Sequence, residues 1–337
     1  MSPVGKCFLT NDRLNNLPWP ARQLLDWKSY HYTIDGVAAN SLIAQLGCPF
    51  ECGFCGGRQS PSLRRIRTRS EENVVDEMAY LYELTGRPGM MLYDDELNVR
   101  RDKMVDLMQL IEARQKELGC EWRLRGFIKA ELFTQTQAEA MFRAGFRWIL
   151  VGFESGSPTI LTNINKKATR EENTRCLEIA HRAGLKVKAL MSIGHPGETR
   201  ETVSQTTDWL LTAKPDDFDI TIITCYPGTP YYDQAVPVVG QPGTWVYTQA
   251  RTGDRLYQKE VDYSEQADFY KGSPDGGYQA YVYTDALSST DLVACRDQIE
   301  RVVRSELAIP YPASAATIKY EHSMGQAGLP PAILRSS

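Results

Sequence analysis

Apolar residues along the middle of the chain recur with two different spacings. The short strand-like runs are Ser41–Leu46, Met90–Tyr93, Trp122–Phe127, Trp148–Phe153, Val187–Ile193 and Asp219–Thr224. Between them, apolar residues recur every three or four positions, as in Val74, Val75, Met78 and Leu81, or in Met104, Leu107, Met108 and Ile111. Short apolar runs are typical of buried strands, and the second spacing is typical of amphipathic helices. The pattern therefore predicts strands that alternate with helices.

Residues at the ends of the predicted helices support this reading. Thr134 and Thr169 each stand three residues before a glutamine or glutamate, the form of a capping box, and Gly145 and Gly184 mark helix ends. Strands in alternation with helices favour a parallel sheet, which right-handed crossovers curl. We expect an α/β fold, a partial (β/α)6 TIM-like barrel with a β-rich and helical C-terminal extension.

The chain divides into three regions by composition. Residues 1–40 are polar and aromatic, with a Pro-Trp-Pro run that argues against a long helix, and we expect them to wrap the outside of the barrel. Residues 41–231 carry the predicted barrel. In residues 232–337, Leu292–Leu307 predicts an amphipathic helix and Pro310–Ser337 an extended tail. We expect this last region to close the barrel and cap the substrate.

Composition and charge narrow the classes of function. The 337 residues are 42% hydrophobic and 24% charged, as in an ordinary soluble protein. A formal net charge of −4 gives no electrostatic case for binding nucleic acid or an anionic membrane. The apolar runs are too short to span a bilayer, and no signal-peptide core follows Met1. Eight cysteines, three of them in one loop, do not suggest a disulfide framework, so we expect a cytoplasmic location.

The strongest chemical signal is a loop that carries Cys48, Cys52 and Cys55 in a C-x3-C-x2-C spacing. Three thiolates on one loop can bind three irons of a cubane cluster and leave the fourth iron open. A closed structural site would need four ligands, and no fourth cysteine or histidine lies nearby in the sequence. A zinc knuckle and three buried thiols are the alternatives. With Phe54 before the last cysteine, the loop resembles the signature of the radical S-adenosylmethionine (SAM) superfamily.

Polar residues follow the predicted strands at their carboxyl ends, where functional groups collect in β/α barrels. The second strand ends in Asp94 and Asp95, which could bind the ammonium group of SAM. The alternative is an exposed loop with an N-capping Asp. Arg123 and Arg125 lie two residues apart on the third strand and therefore on one face, which we expect to be the polar interior of the barrel.

The fourth and fifth strands end in further candidate contacts. Glu154 could accept hydrogen bonds from ribose hydroxyls, and Ser155 belongs to a run of small residues that lets the backbone approach a ligand closely. Ile193 and Gly194 could form an apolar shelf for adenine. These contacts would lie around the cofactor rather than at the reacting carbon of the substrate.

Taken in order, the motifs over residues 17–232 resemble the catalytic half of the cobalamin-dependent radical SAM enzymes. They are Leu17-Pro18-x-Pro20, Gly47-Cys48, Asp94-Asp95, Gly-Phe-Glu-Ser-Gly-Ser, Gly-His-Pro-Gly-Glu-Thr and Tyr-Pro-Gly-Thr-Pro. The cobalamin-binding half is missing, so we do not expect cobalamin-dependent methyl transfer. The resemblance implies that a reduced 4Fe-4S cluster cleaves SAM and that a 5'-deoxyadenosyl radical removes hydrogen from the substrate.

The resemblance also implies roles for individual residues. Cluster ligation falls to Cys48, Cys52 and Cys55. SAM contacts fall to Phe54, Asp94 or Asp95, Arg125, Glu154, Ser155, Ile193 and Gly194. The family supplies these assignments, and the spacing of the residues alone does not.

Two residues depart from the branch pattern. Cys225 stands where many members have proline, and a thiol near the substrate can return hydrogen to the opposite face of a carbon radical, as in radical SAM epimerases. The alternative is a small buried hydrophobe. His195 replaces an apolar residue and is either a general base or, as we prefer, a hydrogen-bonding residue near SAM.

The expected function is a redox-neutral epimerisation of a sugar, oligosaccharide or nucleotide-sugar intermediate of antibiotic biosynthesis. A polar flap suits such a ligand: Asp262, Tyr263, Asp268, Tyr270, Asp275 and Tyr278. The alternatives are a radical decarboxylase, a rearrangement or C–C coupling enzyme, a SAM-dependent radical methylase, and a non-catalytic metal-binding module. The arginines at 64, 65, 67 and 69 either form a solvated face or dock a flavodoxin or ferredoxin electron donor or a substrate phosphate.

Overall fold

The computed structural model describes residues 9–56, 60–260 and 274–311. Its first nine strands are β1 Thr33–Ile34, β2 Val37–Leu42, β3 Gln45–Leu46, β4 Arg67–Thr68, β5 Gly89–Leu92, β6 Arg123–Ile128, β7 Phe146–Glu154, β8 Lys186–Ile193 and β9 Asp217–Ile222. The main sheet has the order β1-β2-β5-β6-β7-β8-β9, and β3 pairs with β4 apart from it. β1 is antiparallel to β2, whereas β2, β5, β6 and β7 pair in parallel.

Helices follow the strands of the main sheet. They are α1 Asn11–Asn15, α2 Glu71–Thr85, α3 Arg101–Leu118, α4 Gln135–Arg143, α5 Pro158–Asn163, α6 Arg170–Arg182, α7 Arg200–Ala213, α8 Pro230–Asp233 and α9 Ser289–Leu307. Because the strand order follows the chain with helical crossovers, the fold class is α/β, the partial (β/α)6 barrel that the alternation predicts.

Two compact units divide the chain. The first comprises Met1–Pro49, Pro61–Val151 and Arg175–Lys188, and the second comprises Phe50–Ser60, Gly152–Thr174 and Ala189–Ser337. Strands β7 and β8 each begin in the first unit and end in the second. The division into residues 1–40, 41–231 and 232–337 stays a prediction.

The first predicted strand differs most from the structure. The run Ser41–Leu46 splits, because the sheet ladder of β2 ends at Leu42 and the next backbone donors, at Ala44 and Gln45, donate to the carboxylate of Asp94. The edge strand β1 was not predicted. Its signal is the pair Asp35-Gly36, both with positive φ (50° and 77°), a combination typical of tight hairpin turns.

The predicted helix ends are confirmed. Thr134 forms a complete capping box with Gln137, and Thr169 does so with Glu172 at 2.9 and 3.1 Å. Gly145 and Gly184 follow α4 and α6 with positive φ of 99° and 84°. The apolar positions predicted for α2 and α3 are buried on one face of each helix.

The C-terminal extension in the second unit is β-rich and helical, as expected. It forms a separate sheet of β10 Val236–Pro237, β11 Thr244–Thr248, β12 Arg255–Lys259 and β13 Val282–Thr284. Helix α9 buries the guanidinium of Arg296, which donates to the carbonyl of Ile220 at 3.3 Å. Asp262, Tyr263, Asp268 and Tyr270 of the predicted flap, and most of the predicted tail (312–337), lie outside the described residues. In the part of the chain that is described, no helix has the length and apolarity needed to cross a bilayer.

Candidate functional site

Hydrogen bonds to a carboxylate and to a backbone carbonyl fix the chain where it enters the cysteine loop (residues 47–56). In the first unit, the N–H of Gly47 donates to Asp95 Oδ2 at 2.8 Å, and the N–H of Cys48 donates to the carbonyl of Leu63 at 2.8 Å. Gly47 has a φ of 94°, and a Cβ there would overlap the carbonyl oxygen of Arg65. Glycine is therefore required directly before the first cysteine.

Asp94 lies in the same region, fully buried at the carboxyl end of β5. Its Oδ1 accepts from the N–H groups of Ala44, at 3.0 Å, and of Gln45. Burial raises the pKa of Asp94 to about 7, although the backbone donors partly oppose this rise. Its Oδ2 is buried with no hydrogen-bond partner in the structure. In this structure Asp94 and Asp95 thus hold the backbone ahead of the cysteines, and their contact with SAM stays a prediction.

The following part of the loop packs within the second unit. The N–H of Gly53 donates to the carbonyl of Ile164 at 2.9 Å, and Asn165 Nδ2 donates to the carbonyl of Glu51 at 2.8 Å. Phe54 packs against the buried helix α5, on Ile160, Leu161 and Ile164. A Cβ on Gly53 would stand 2.8 Å from the ring of Tyr231, so a side chain there would push the loop away from this tyrosine.

The donor set of the loop fits an iron–sulfur cluster. Cys48, Cys52 and Cys55 are thiols, with Cys52 buried and Cys55 exposed. Within the described ranges, no group of three His, Cys, Asp or Glu side chains is arranged around a single metal ion. Each cysteine of a cubane cluster binds a different iron, so its ligands need not converge on one point as those of a zinc ion do.

A chain of polar side chains runs through the second unit from β7 to the end of β8. Lys166 Nζ lies 3.2 Å from Glu154 Oε1, and Ser192 Oγ donates to Glu154 Oε2 at 2.9 Å. Ser192 Oγ also lies 2.8 Å from His195 Nε2. Glu154 has a φ of 65°, a left-handed conformation that is rare for residues other than glycine and is often found at functional sites.

The hydrogen bonds of Ser192 fix the tautomer of His195. A hydroxyl has one hydrogen, and here it goes to Glu154, whose carboxylate can only accept. Ser192 Oγ therefore accepts from His195 Nε2–H, which leaves Nδ1 as a buried acceptor with no partner. Burial lowers the pKa of His195 to about 3, so its ring is neutral near pH 7. A neutral acceptor of this kind suits a ligand hydrogen-bond donor.

Aromatic rings surround His195 on two sides. The ring of Phe54 lies 5.3 Å from it between centroids, and the ring of Tyr231 lies 6.3 Å from it. Tyr231 is fully buried, its hydroxyl has no hydrogen-bond partner in the structure, and its pKa is raised, chiefly by burial. Cys225 lies between β9 and α8, the helix that carries Tyr231. Cys225 itself is 8% exposed.

The loop after β8 is organised by a buried carboxylate. Glu198 Oε2 accepts from the N–H of Gly194 at 3.1 Å, and its Oε1 accepts from Thr202 Oγ1 at 2.6 Å. Burial raises the pKa of Glu198 to about 7. Ile193 is fully buried, and Gly194 has a left-handed backbone conformation with a φ of 88°. Their contact with adenine stays a prediction.

The remaining predicted contacts have internal partners as well. Ser155 Oγ lies 3.0 Å from Thr206 Oγ1 and accepts from the N–H of Ser157 at 3.1 Å, which ties the end of β7 to α7. Arg125 shares the less buried face of β6 with Arg123, as predicted. Burial raises the pKa of Tyr32, and the charge of Arg125 partly opposes this rise, while Arg125 Nε is buried without a partner among the described residues.

Sequence reasoning missed Lys166, Ser192, Tyr231 and Glu198. Ser192 and Glu198 flank His195 in a motif that the sequence analysis singled out, so their proximity to it was a usable signal. Lys166 and Tyr231 lie in other segments, and only the fold brings them to Glu154 and Gly53. Of the arginine run, Arg67 is buried, Arg69 bonds to Glu77 and Arg64 donates to the carbonyl of Pro49, which leaves Arg65 as the exposed member.

The fold and the loop define an α/β barrel-type protein with a site for an iron–sulfur cluster. The sequence model of the radical SAM superfamily matches residues 42–210, half of the chain, so the chain belongs to this superfamily. Its cofactors are accordingly a 4Fe-4S cluster and SAM.

Curated relatives match about two thirds of the chain. The chain is 30% identical over 226 residues to an uncharacterized methyltransferase, PH0819, of Pyrococcus horikoshii, covering 66% of this chain and 47% of the relative. It is 26% identical over 211 residues to the anaerobic magnesium-protoporphyrin IX monomethyl ester cyclase of Cereibacter sphaeroides, covering 63% and 34%. The chain thus spans less than half the length of these relatives.

Solved structures support the fold. The radical SAM methyltransferase TsrM from Kitasatospora setae, with cobalamin and a 4Fe-4S cluster bound, aligns with a TM-score of 0.56 at 24% identity, over 63% of this chain and 43% of that one. A second TsrM structure, with tryptophan and a SAM analogue bound, aligns with a TM-score of 0.57 at 20% identity, over 82% and 52%. Both likenesses confirm the partial barrel.

Proposed function

We propose that Cys48, Cys52 and Cys55 hold the 4Fe-4S cluster and that SAM binds beside it. The spacing of the thiols and the glycines that let the backbone pack tightly around them support this assignment. Together the bound cofactors supply a 5'-deoxyadenosyl radical that removes a hydrogen atom from a substrate. The protein's own residues bind the cofactors, orient the substrate and keep water out.

Glu154 is the residue that we assign to the ribose of SAM. Lys166 and Ser192 each bind a different oxygen of its carboxylate, so both oxygens keep a further lone pair for a hydroxyl donor. The side chain is 13% exposed, enough for contact with a ligand at one edge. Lys166 and Ser192 fix the orientation of Glu154, and His195 Nδ1 offers a second, neutral acceptor.

The reaction that we favour is redox-neutral epimerisation of a sugar or nucleotide-sugar substrate, with Cys225 as hydrogen donor. The observation that carries it is the place of Cys225, a buried thiol between β9 and α8, the helix that carries Tyr231, whose ring lies against Gly53 of the cysteine loop. The thiol gives its hydrogen atom to the substrate carbon radical, an S–H bond breaks, a C–H bond forms, and a thiyl radical remains. An electron from a flavodoxin or ferredoxin and a proton from water restore the thiol.

Methyl transfer is the second candidate, and the relatives favour it. PH0819 and TsrM are named as methyltransferases, and each matches about two thirds of this chain. In that case the substrate gains a methyl group, and Cys225 is a small buried side chain that takes no part in the reaction. The two reactions differ in the mass and the isotope content of the product.

Anaerobic reconstitution tests the cluster first. Iron counting and the visible and EPR spectra should show one 4Fe-4S cluster in the wild type, and loss of the cluster in Cys48→Ala, Cys52→Ala and Cys55→Ala. Cys295→Ala, which removes a buried thiol of α9, is the matched control and should keep the cluster. A cluster that survives loss of any of the three loop cysteines would contradict the assignment.

Turnover in deuterated water then separates the two reactions. The protein is supplied with SAM, dithionite and fractionated sugar and nucleotide-sugar pools, and mass spectrometry follows 5'-deoxyadenosine and converted substrate. Epimerisation predicts an isomer with one carbon-bound deuterium, and Cys225→Ala should cleave SAM but form no isomer. A methylated product that Cys225→Ala still forms would overturn epimerisation and establish the second candidate.

A further inference from the structure

A cavity of about 410 Å³ lies within the first unit, where the segment before β1 packs near β2 and α2. This volume falls in the range of small-molecule binding sites. Its walls are mainly apolar, formed by residues such as Leu17, Trp19, Leu42, Ile43 and Tyr93. Nothing in the proposed cofactor site uses these side chains.

The entrance of this cavity is accessible to a ligand. Leu17 is 51% exposed, Ile43 is 40% exposed and Tyr93 is 52% exposed, although all three line the cavity. Large apolar side chains that are exposed together at a concave surface lose contact with water when an apolar ligand covers them. The walls therefore favour a ligand with an apolar body.

The charges of the residues that line the cavity do not sum to zero. Arg22, Arg69 and Glu77 are its charged lining residues. Glu77 Oε1 lies 3.3 Å from Arg22 Nη2, and Glu77 Oε2 lies 2.5 Å from Arg69 Nη1. The side chains are only 2–15% exposed, so water screens them poorly. Two guanidinium groups against one carboxylate leave one positive charge without a counterion among the lining residues.

One donor of this charged group is also unused. Arg22 Nη1 donates to the carbonyl of Ser41 at 2.8 Å, and Nη2 donates to Glu77, but the buried Nε–H has no acceptor among the residues that the structure describes. Arg69, in contrast, uses its Nε on Asn73 at 2.7 Å. A buried donor on a charged group that lacks an acceptor is costly, and an anionic oxygen is the acceptor that compensates it best.

We propose that this cavity binds an amphiphilic monoanion, a molecule with an apolar ring or chain and one carboxylate. The carboxylate accepts from Arg22 Nε–H and balances the excess charge of the two arginines. The apolar body lies against Trp19 and Leu42 and covers the exposed residues at the entrance. None of the proposed SAM contacts lines this cavity, and its occupation does not depend on the reaction that the enzyme performs.

Calorimetric titration of the cluster-loaded protein with 2-naphthoate and with 2-naphthylmethanol tests the proposal. The two probes share a ring system and differ in charge, so their affinities isolate the contribution of the carboxylate. We expect naphthoate to bind about tenfold more tightly than the alcohol in the wild type, and Arg22→Met to abolish that preference. Equal affinities in the wild type, no binding of either probe, or a preference that persists in Arg22→Met would overturn the proposal.

A second pair of variants keeps the test valid if Arg22→Met fails to fold. Leu17→Glu places a negative charge at the entrance and should weaken naphthoate binding by about threefold to tenfold while the alcohol changes less. Leu24→Glu adds the same charge in the same segment, at a residue that is 80% exposed and does not line the cavity. Equal losses in Leu17→Glu and Leu24→Glu would show that the probe binds elsewhere.

Discussion

The carboxyl ends of β5 and β8 use buried carboxyl groups in different ways. At the end of β5, Asp94 binds backbone N–H groups, as Asp95 does, and both act on the chain that leads to the first cysteine. At the end of β8, Glu198 also binds a backbone N–H, but Ser192 connects to Glu154 and His195 through side chains alone. The carboxyl groups after β5 position a loop. At the end of β8, Nδ1 of His195 is a buried acceptor without a partner among the described residues.

An acidic run after a strand can therefore have either of two roles. The same residue type serves as a cap for irregular backbone or as a contact for a ligand, and the deciding factor is which donors the surrounding chain leaves unpaired. Near Asp94, two N–H groups lie beyond the end of a sheet ladder. At Glu154, the carboxylate binds the side chains of Lys166 and Ser192 instead.

Removal of the Asp94 carboxylate should have the largest effect on stability. Asp94→Ala leaves the N–H groups of Ala44 and Gln45 buried without an acceptor, so we expect the free energy of unfolding to fall by about 2–4 kcal/mol. Urea denaturation measures this loss. Asp95→Ala, at an exposed residue with one backbone bond, is the comparison and should lose much less. Equal losses in the two variants would show that the scaffold role is not specific to Asp94.

The raised pKa of Glu198 predicts a pH dependence of stability. Its folded pKa of about 7 lies above the ordinary value of 4.5, so the folded state retains a proton that the unfolded state has lost between these values. Stability from this group is present below about pH 4.5 and is lost as the pH rises through 7. In the wild type this group lowers the free energy of unfolding between about pH 5 and about pH 8. We expect Glu198→Gln to reduce that fall by on the order of 2 kcal/mol.

Denaturation of Glu201→Gln at the same pH values is the control for this change. Glu201 lies on the exposed face of α7, and its replacement removes a similar charge without removing a buried group. An unchanged pH profile in Glu198→Gln would mean that other groups set the decline.

Loss of the Ser192 hydroxyl should have a smaller effect on stability and a specific effect on His195. Ser192→Ala removes the acceptor of Nε2–H, so the Nδ1–H tautomer should become populated, with a loss of about 1 kcal/mol in the free energy of unfolding. The ring ¹⁵N chemical shifts of His195 report the tautomer directly. Ser192→Thr keeps a hydroxyl and should keep the Nε2–H form. A tautomer that stays the same in Ser192→Ala would show that Ser192 does not fix it.

Much of the fold was predictable because it rests on local patterns. The six strand runs, the helices with Val74 and Met104 on their buried faces, and the capping box at Thr134 all depend on residues close in sequence. The division of the first predicted strand was not predictable. The acceptor for the backbone beyond the end of β2 is Asp94, which lies 50 positions after Ala44 in the sequence. Local propensity carries no information on such a partner.

The sequence by itself determined the superfamily and, through it, the cofactors, because the family motifs lie in short stretches of the chain, as Cys48, Cys52 and Cys55 do. Only the tertiary structure decided the tautomer of His195, the unused donor of Arg22 and the partners of Glu154. These depend on contacts between distant segments. Burial makes each unpaired polar atom energetically important, and burial is a property of the folded chain.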